Sequence, residues 1–125
     1  MKLRVARHTV NLDPVISFYR DILGLKILGH FENHQGYNGV FLEVKNAGWH
    51  LEFTTSVDAP QHQPDEDDLL VFYQKNAADY EALKLKFEQH NISPVPAKNP
   101  YWNKNGTCYM DPDGYTVVIA VAGIY

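Results

Sequence analysis

Residues 11–25, with the sequence Asn-Leu-Asp-Pro-Val-Ile-Ser-Phe-Tyr-Arg-Asp-Ile-Leu-Gly-Leu, carry the most informative pattern of this chain. Asp13 and Pro14 supply a helix cap followed by proline at the first helical position. The apolar residues after them recur at helical spacing, and Gly24 stands where a glycine commonly ends a helix. The segment therefore predicts a short amphipathic helix, placed directly after a strand over residues 3–10.

The segments that follow this helix predict a repeated order of elements. The first half is completed by three predicted strands, over residues 26–31, 39–44 and 49–54. A linker is predicted over residues 56–67, which are rich in proline and acidic side chains. The second half predicts a strand, a helix and three further strands, over residues 69–73, 77–89, 92–95, 107–110 and 116–121. Both halves therefore have the order βαβββ.

Two connections in the second half stand out. Residues 99–106 form a polar stretch with two aromatic side chains, which predicts a loop. Asp111-Pro112-Asp113-Gly114 predicts a tight turn, with proline at its second position and glycine at its fourth. A repeated unit this small cannot bury its sheet face alone. We therefore expect one α+β domain over residues 1–125, with halves at about 1–55 and 68–125. Its two βαβββ modules should form an open, curled eight-stranded sheet around a cleft.

Composition limits the classes of partner and compartment. The chain has 125 residues and a net charge of −4, so no basic field attracts nucleic acid or anionic lipid. Cys108 is the single cysteine, so no intrachain disulfide forms; its strand position predicts a buried, inert thiol. Charged residues at the start of the chain do not fit a signal peptide. No apolar run approaches the roughly 20 residues of a membrane span, so we expect a cytoplasmic protein.

Three segments together resemble the vicinal oxygen chelate superfamily, which includes glyoxalases and bleomycin-resistance proteins. They are residues 11–25 with their Phe-Tyr pair, Trp49–Phe53, and the Asp-Pro-Asp-Gly turn before the last strand. The resemblance implies a cavity built from paired βαβββ modules. It also implies a divalent metal ion held by three or four His and Glu side chains, which acts as a Lewis acid. Metal-free drug-binding proteins belong to the same superfamily.

Carried over residue by residue, most of the superfamily's metal ligands are missing from this chain. The four positions fall on Arg4, Glu52, Leu69 (or Leu70) and Val118, so only Glu52 keeps a ligating side chain. Arginine does not give up its proton to bind a cation, and leucine and valine have no donor atoms. We therefore expect no cofactor, and a divalent metal is disfavoured. We expect instead a direct, mostly buried ion pair between Arg4 and Glu52.

Two histidines accompany this position. Strand alternation places His8 on the side of Arg4, and His50 on the side of Glu52. His8, His50 and Glu52 are therefore the candidate acid–base groups. They are also a conceivable replacement metal site, because two histidines and a carboxylate form a recognised ligand set. The favoured alternative is that both histidines are hydrogen-bonded inside a polar pocket.

Aromatic side chains are expected to complete the pocket. Tyr101 and Trp102 either cover the core or provide the large, rigid contact area that a flat ligand needs, and Tyr73 and Tyr37 would add to that wall. The predicted ligand-binding residues are Arg4, His8, His50, Glu52, Tyr73, Tyr101 and Trp102.

Three functions remain open at this point, because a fold does not settle a function. The favoured one is a protein that binds a small aromatic or amphipathic molecule in a metal-free cleft. The second is an enzyme, of lyase, isomerase or dioxygenase type, acting on a small oxygenated substrate through a non-standard His/Glu site. The third is an interaction module whose cavity is filled by side chains. The resemblance also implies a homodimer.

Overall fold

The computed structural model describes residues 1–123; the last two residues of the predicted second half, Ile124 and Tyr125, lie outside the described part. The chain divides into two compact units, Met1–His62 and Gln63–Tyr125. The boundary between them falls within the predicted linker over residues 56–67.

The first unit holds one four-stranded sheet with the order β1-β4-β3-β2. Its strands are β1 (Leu3–His8), β2 (Lys26–His34), β3 (Tyr37–Glu43) and β4 (Trp49–Thr55). β1 and β4 are parallel, whereas β3 runs antiparallel to both β2 and β4. β1 is therefore an edge strand, with a neighbour on one side only within its unit.

The helix of the first unit begins with α1 (Leu12–Ile16) and continues as a π-helical turn over Ser17–Ile22. The predicted cap, Asp13, is wrong. The cap is Asn11, whose side-chain oxygen accepts a hydrogen bond from the Asp13 backbone N–H at 3.1 Å. Asparagine and aspartate cap helices about equally well, and here the helix begins at the earlier of the two residues. The predicted end is confirmed, since Gly24 follows the last helical turn with φ +85°.

The helix packs on one face of this sheet. The Tyr19 ring centroid lies 4.9 Å from that of Phe53 on β4. The buried side chains of this core are Val15, Phe18, Tyr19, Ile22, Leu25, Val40, Leu42, Leu51 and Phe53. Because side chains alternate along a strand, the other side chains of β4 project from the opposite face. That face contains the candidate site.

The second unit holds a three-stranded sheet with the order β5-β7-β6. Its elements are β5 (Leu69–Gln74), α2 (Ala77–Gln89), α3 (Pro100–Asn105), β6 (Thr107–Met110) and β7 (Thr116–Val121). β5 and β7 are parallel, and β6 is antiparallel to β7. The two units are therefore βαβββ-like modules, and the predicted α+β fold class is confirmed.

One predicted strand does not form. Residues 92–95 make only an isolated bridge between Val95 and Cys108, so the described residues contain a four-stranded and a three-stranded sheet instead of eight strands. Pro94 and Pro96 flank Val95. Proline has no N–H to donate to a strand ladder, so pairing cannot extend beyond the single bridge.

The predicted loop over residues 99–106 is also wrong, because it contains α3. The Asn99 side chain accepts a hydrogen bond from the Tyr101 backbone N–H at 3.1 Å, and Pro100 takes the first helical position. This is a cap followed by proline, the same signal that predicts a helix start at residues 13–14.

The other elements of the second unit follow their sequence signals closely. Asn76 caps α2 by accepting a hydrogen bond from the Asp79 N–H at 2.8 Å. The predicted turn is confirmed by a hydrogen bond from the Gly114 N–H to the Asp111 carbonyl, 3.1 Å long, with Gly114 at φ +89°. None of the helices within residues 1–123 is long and apolar enough to cross a membrane.

Candidate functional site

The sheet face opposite α1 carries the polar residues predicted for the site. Register pairs Arg4 with His50 and His8 with Thr54, while Phe41 of β3 pairs with Glu52. Because paired residues project from the same side of a sheet, these side chains share one surface. We call this surface the polar face, formed by Arg4, His8, Phe41, His50, Glu52 and Thr54.

Arg4 lies across the polar face and touches three of its residues. Its Nε donates a hydrogen bond to His50 Nε2 at 2.8 Å. The guanidinium carbon lies 4.7 Å from the centroid of the Phe41 ring, a cation–π contact. The Nη1 atom lies 3.8 Å from a carboxylate oxygen of Glu52. Phe41 was not among the residues predicted for the site.

The predicted ion pair between Arg4 and Glu52 is therefore present, but the expectation that it is mostly buried is wrong. The Arg4 side chain is 51% exposed and that of Glu52 is 15% exposed. Arg4 stands on the edge strand β1, and its close partner is His50, the residue opposite it in the register. An ion pair this exposed stabilises a fold by about 0–1 kcal/mol.

The contact with Arg4 determines the tautomer of His50. A guanidinium can only donate, so His50 Nε2 accepts, and the neutral imidazole then carries its proton on Nδ1. His50 is 7% exposed, and its Nδ1 is buried without a hydrogen-bond partner among the described residues. A buried donor without an acceptor costs about 1–3 kcal/mol. An oxygen atom supplied by a bound molecule would remove that cost.

His8 has a different environment on the same face. Its Nδ1 lies 2.7 Å from the Thr54 hydroxyl, and its Nε2 lies 3.0 Å from both the Ser56 hydroxyl and the Asp58 carbonyl oxygen. Both ring nitrogens are therefore engaged, and they connect β1 to the end of β4 and to the segment that follows it. The ring also contacts Tyr37, at 5.6 Å between centroids.

Of the aromatic residues predicted for the site, Tyr37 lies in the first unit, and Tyr73, Tyr101 and Trp102 lie in the second. Trp102 packs over Gly106, where a Cβ atom would stand 3.3 Å from the indole Cε3 and 2.9 Å from a methyl group of Val118. Tyr101 contacts Trp102 edge to face, with ring centroids 4.8 Å apart, and is 40% exposed. Trp102 therefore lies beside Val118, where the sequence resemblance predicts one of the superfamily's metal-ligand positions.

Register places Tyr73 on the same side of the second sheet as Val118. Leu69 and Cys108 also project from this side, opposite α2, so the surface is mainly apolar. Cys108 is buried, and desolvation raises the pKa of its thiol. This environment agrees with the predicted inert thiol.

Two family descriptions match most of this chain. The YycE-like N-terminal domain matches residues 3–54, and the YycE-like C-terminal domain matches residues 67–120. The protein YycE of Bacillus subtilis (strain 168) is 41% identical over 120 residues, which cover 94% of this chain and 85% of YycE. The chain belongs to the YycE-like family.

Solved structures place this family among the glyoxalase-like folds. The crystal structure of B. subtilis YycE, described as a protein of unknown function and a candidate glyoxalase/fosfomycin resistance protein, superposes with TM-score 0.86 at 39% identity, over 98% of this chain and 93% of YycE. The trypanothione-dependent glyoxalase I of Leishmania major gives TM-score 0.74 at 21% identity, over 97% of this chain and 86% of that enzyme. TnmS3, an antibiotic-binding protein from Streptomyces sp. CB03234, gives TM-score 0.68 at 15% identity, over 97% and 94%. The last two show the fold alone, and the predicted vicinal oxygen chelate resemblance is confirmed.

The residues of this YycE-like chain do not fit the divalent metal ion that the superfamily typically holds. Arg4 donates where a ligand must accept, and Leu69 and Val118 have no donor atoms. The replacement set of His8, His50 and Glu52 does not come together either. Within residues 1–123, no group of three His, Cys, Asp or Glu side chains lies close enough to hold a metal. We therefore assign no chemical step to a metal.

Proposed function

We propose that this protein binds a small aromatic or amphipathic molecule without a metal ion, and that the polar face holds the polar group of that molecule. The observation that carries the proposal is the arrangement of Arg4. At the superfamily's first metal-ligand position, it lies on the Phe41 ring and is hydrogen-bonded to His50. A cation, a buried donor and a carboxylate on one face supply the few convergent polar groups typical of ligand sites.

The aromatic side chains predicted for ligand binding lie in the second unit. Tyr73, Tyr101 and Trp102 keep the role predicted from the sequence, and the exposed fractions of Tyr73 and Tyr101, 39% and 40%, support it. The description of TnmS3 as an antibiotic-binding protein supports only the compatibility of this fold with such a function. The homodimer and the cytoplasmic location stay predictions.

An enzyme acting on a small oxygenated substrate is the second candidate. His50 favours it, because a buried imidazole with an unpartnered Nδ1–H can donate to a substrate oxygen. The polar face offers no second acid–base group as good as His50. Both ring nitrogens of His8 are hydrogen-bonded within the protein, and Glu52 is paired with Arg4. Turnover of a bound molecule by the wild type, lost in His50→Gln, would favour the enzyme.

Intrinsic fluorescence provides a test of the binding function, because the chain has two tryptophans, Trp49 on β4 and Trp102 on α3. We expect a panel of aromatic acids, amines and neutral compounds to contain molecules that change the emission saturably. A Kd near 1 μM corresponds to about −8 kcal/mol. The change should persist in Trp49→Phe and disappear in Trp102→Phe if Trp102 contacts the ligand.

Two other outcomes have separate meanings. Binding that calorimetry detects without any response of Trp102 would show that the predicted aromatic wall is wrong, while the binding function stands. A panel in which nothing binds below about 1 mM, a free energy of about −4 kcal/mol, would contradict the proposed function and favour a cavity filled by side chains.

A further inference from the structure

We propose that Arg4 replaces the metal ion as the oxygen-binding group of this fold, and that its two Nη groups bind a carboxylate of the ligand end-on. The inference rests on the proposed function and narrows it to one class of molecule. That class is an aromatic or apolar compound with a single carboxylate.

The hydrogen-bond donors of Arg4 are only partly used within the protein. A guanidinium carries five N–H donors, and Nε spends one of them on His50. The distance of 3.8 Å from Nη1 to Glu52 is too long for a hydrogen bond. The four N–H donors of Nη1 and Nη2 therefore have no hydrogen-bond acceptor among residues 1–123. Because the side chain is about half exposed, an incoming ligand can reach them.

The free edge of the guanidinium is held in a defined orientation. The bond to His50 holds the Nε side, and the guanidinium carbon lies over the Phe41 ring, 4.7 Å from its centroid. A guanidinium edge offers two parallel N–H groups that match both oxygens of one carboxylate. Since the side chain is already ordered, less conformational entropy is lost on binding. His50 is thus a positioning residue for Arg4.

The charges around Arg4 favour a monoanion over other ligands. Arg4 is the one arginine or lysine among the six residues of the polar face, and a single guanidinium balances one negative charge of a ligand rather than the two of a phosphate dianion. Glu52 lies beside it. Glu43 pairs with His50 in the register of β3 and with Lys26 in the register of β2, so Glu43 has a lysine opposite it on the same side. An amine would be repelled by the Arg4 guanidinium, and its ammonium N–H donors would find no acceptor there, because a guanidinium only donates.

Three matched probes separate these possibilities: a naphthalene carboxylate, the corresponding carboxamide and naphthylmethylamine. They share one ring system and differ in charge. We expect the carboxylate to bind the wild-type protein about tenfold or more tightly than the carboxamide, since hydrogen bonds to charged groups contribute about 1.5–3 kcal/mol. Equal or tighter binding of the carboxamide or the amine would overturn the proposal.

Variants of Arg4 test its role directly. Arg4→Gln should weaken carboxylate binding roughly 10- to 100-fold and leave carboxamide binding nearly unchanged. Arg4→Lys keeps the charge without the paired donors, so its affinity for the carboxylate should lie between those of the wild type and Arg4→Gln. Arg7→Gln is the matched control, because Arg7 is on the same strand but contacts Phe53 on the opposite face. Unchanged carboxylate affinity in both Arg4 variants would overturn the proposal.

Two further variants distinguish positioning from a structural effect. His50→Gln retains an acceptor for the Arg4 Nε and should keep much of the affinity, whereas His50→Leu should lose it although Arg4 is present. Glu52→Gln removes the nearby negative charge and should tighten carboxylate binding, by up to about fivefold for a pair this exposed. Weaker binding in Glu52→Gln, or equal losses in both His50 variants, would count against the arrangement.

Carboxylate recognition and small-molecule binding fail with different results. If all three probes bind the wild-type protein equally well and Arg4→Gln weakens none of them, the carboxylate proposal is overturned while small-molecule binding stands. If none of the three probes binds and the wider panel is also empty, both are overturned.

Discussion

Replacing Phe87 by alanine is expected to lower the free energy of unfolding by about 3–5 kcal/mol, the range typical of removing a fully buried aromatic ring. Phe87 is 0% exposed, and its ring stacks on that of Tyr109 with centroids 3.7 Å apart and planes 6° apart. Phe87 and Leu83 are the buried residues of α2, so the loss removes much of the contact between this helix and its sheet. Urea unfolding measures the change.

Leu85→Ala is the matched control for this substitution. Leu85 is on the same helix but is 52% exposed, so its loss should cost less than about 0.5 kcal/mol. Equal costs for the two variants would contradict the packing of α2.

The same variant tests the predicted single domain over residues 1–125. Trp49 reports on the first unit when Trp102 is replaced by phenylalanine. If the chain unfolds in one cooperative transition, Phe87→Ala should shift the transition seen by Trp49 as much as that seen by circular dichroism. An unmoved Trp49 transition would show that the two units unfold separately.

The second large effect is a loss of stability at alkaline pH that depends on Tyr109. Burial, followed by the nearby Tyr80, Glu81 and Glu88, raises the pKa of Tyr109 from 10.0 to about 12. Between about pH 10 and 12 the unfolded chain releases this proton while the folded chain keeps it. The unfolded state then binds fewer protons, so stability falls as pH rises. Two pKa units correspond to about 2.7 kcal/mol.

Tyr109→Phe isolates this contribution. The ring and its stacking on Phe87 remain, so stability at pH 7 should change little. From about pH 9 upward, the wild type should lose more stability than the variant, by about 2.3 kcal/mol at pH 12 and approaching about 2.7 kcal/mol above that pH. The other tyrosines are present in both proteins and cancel in the difference. Parallel losses in the two proteins would show that Tyr109 ionises in the folded state as it does in the unfolded chain.

Elements with local signals at both ends were predicted almost to the residue. α2 begins after Asn76 and ends before Asn91, which adopts φ +59°, and asparagine favours both of these positions. β6 and β7 follow from alternation around the Asp111–Gly114 turn. Such signals act over a few residues, so a single sequence contains them.

Elements that depend on competition between signals were predicted less well. Residues 92–95 have the composition of a strand, but Pro94 interrupts the ladder. The aromatic and polar side chains of residues 99–106 suggested a loop, although Asn99 and Pro100 start a helix. The π-helical turn after α1 has no signal in the sequence that we recognise.

The sequence predicted which face of the sheet carries the candidate site, but not which side chains on that face touch one another. Strand alternation correctly put His50 and Glu52 on one side of β4. The partner of Arg4 depends on the register between β1 and β4, which are far apart in the chain, and that register places His50 opposite Arg4. The exposure of Arg4 depends on the position of β1 at the sheet edge, which pattern alone did not reveal.

Metal-independent ligand binding is the central claim, and a titration before and after chelation tests it most directly. The strongest ligand of the fluorescence panel would be titrated into protein purified without chelator, and again after dialysis against EDTA. We predict the same Kd in both titrations, because Arg4, Leu69 and Val118 stand where metal ligands would be needed. Loss of binding after chelation, restored by Zn²⁺, Ni²⁺, Mn²⁺ or Fe²⁺, would contradict the account.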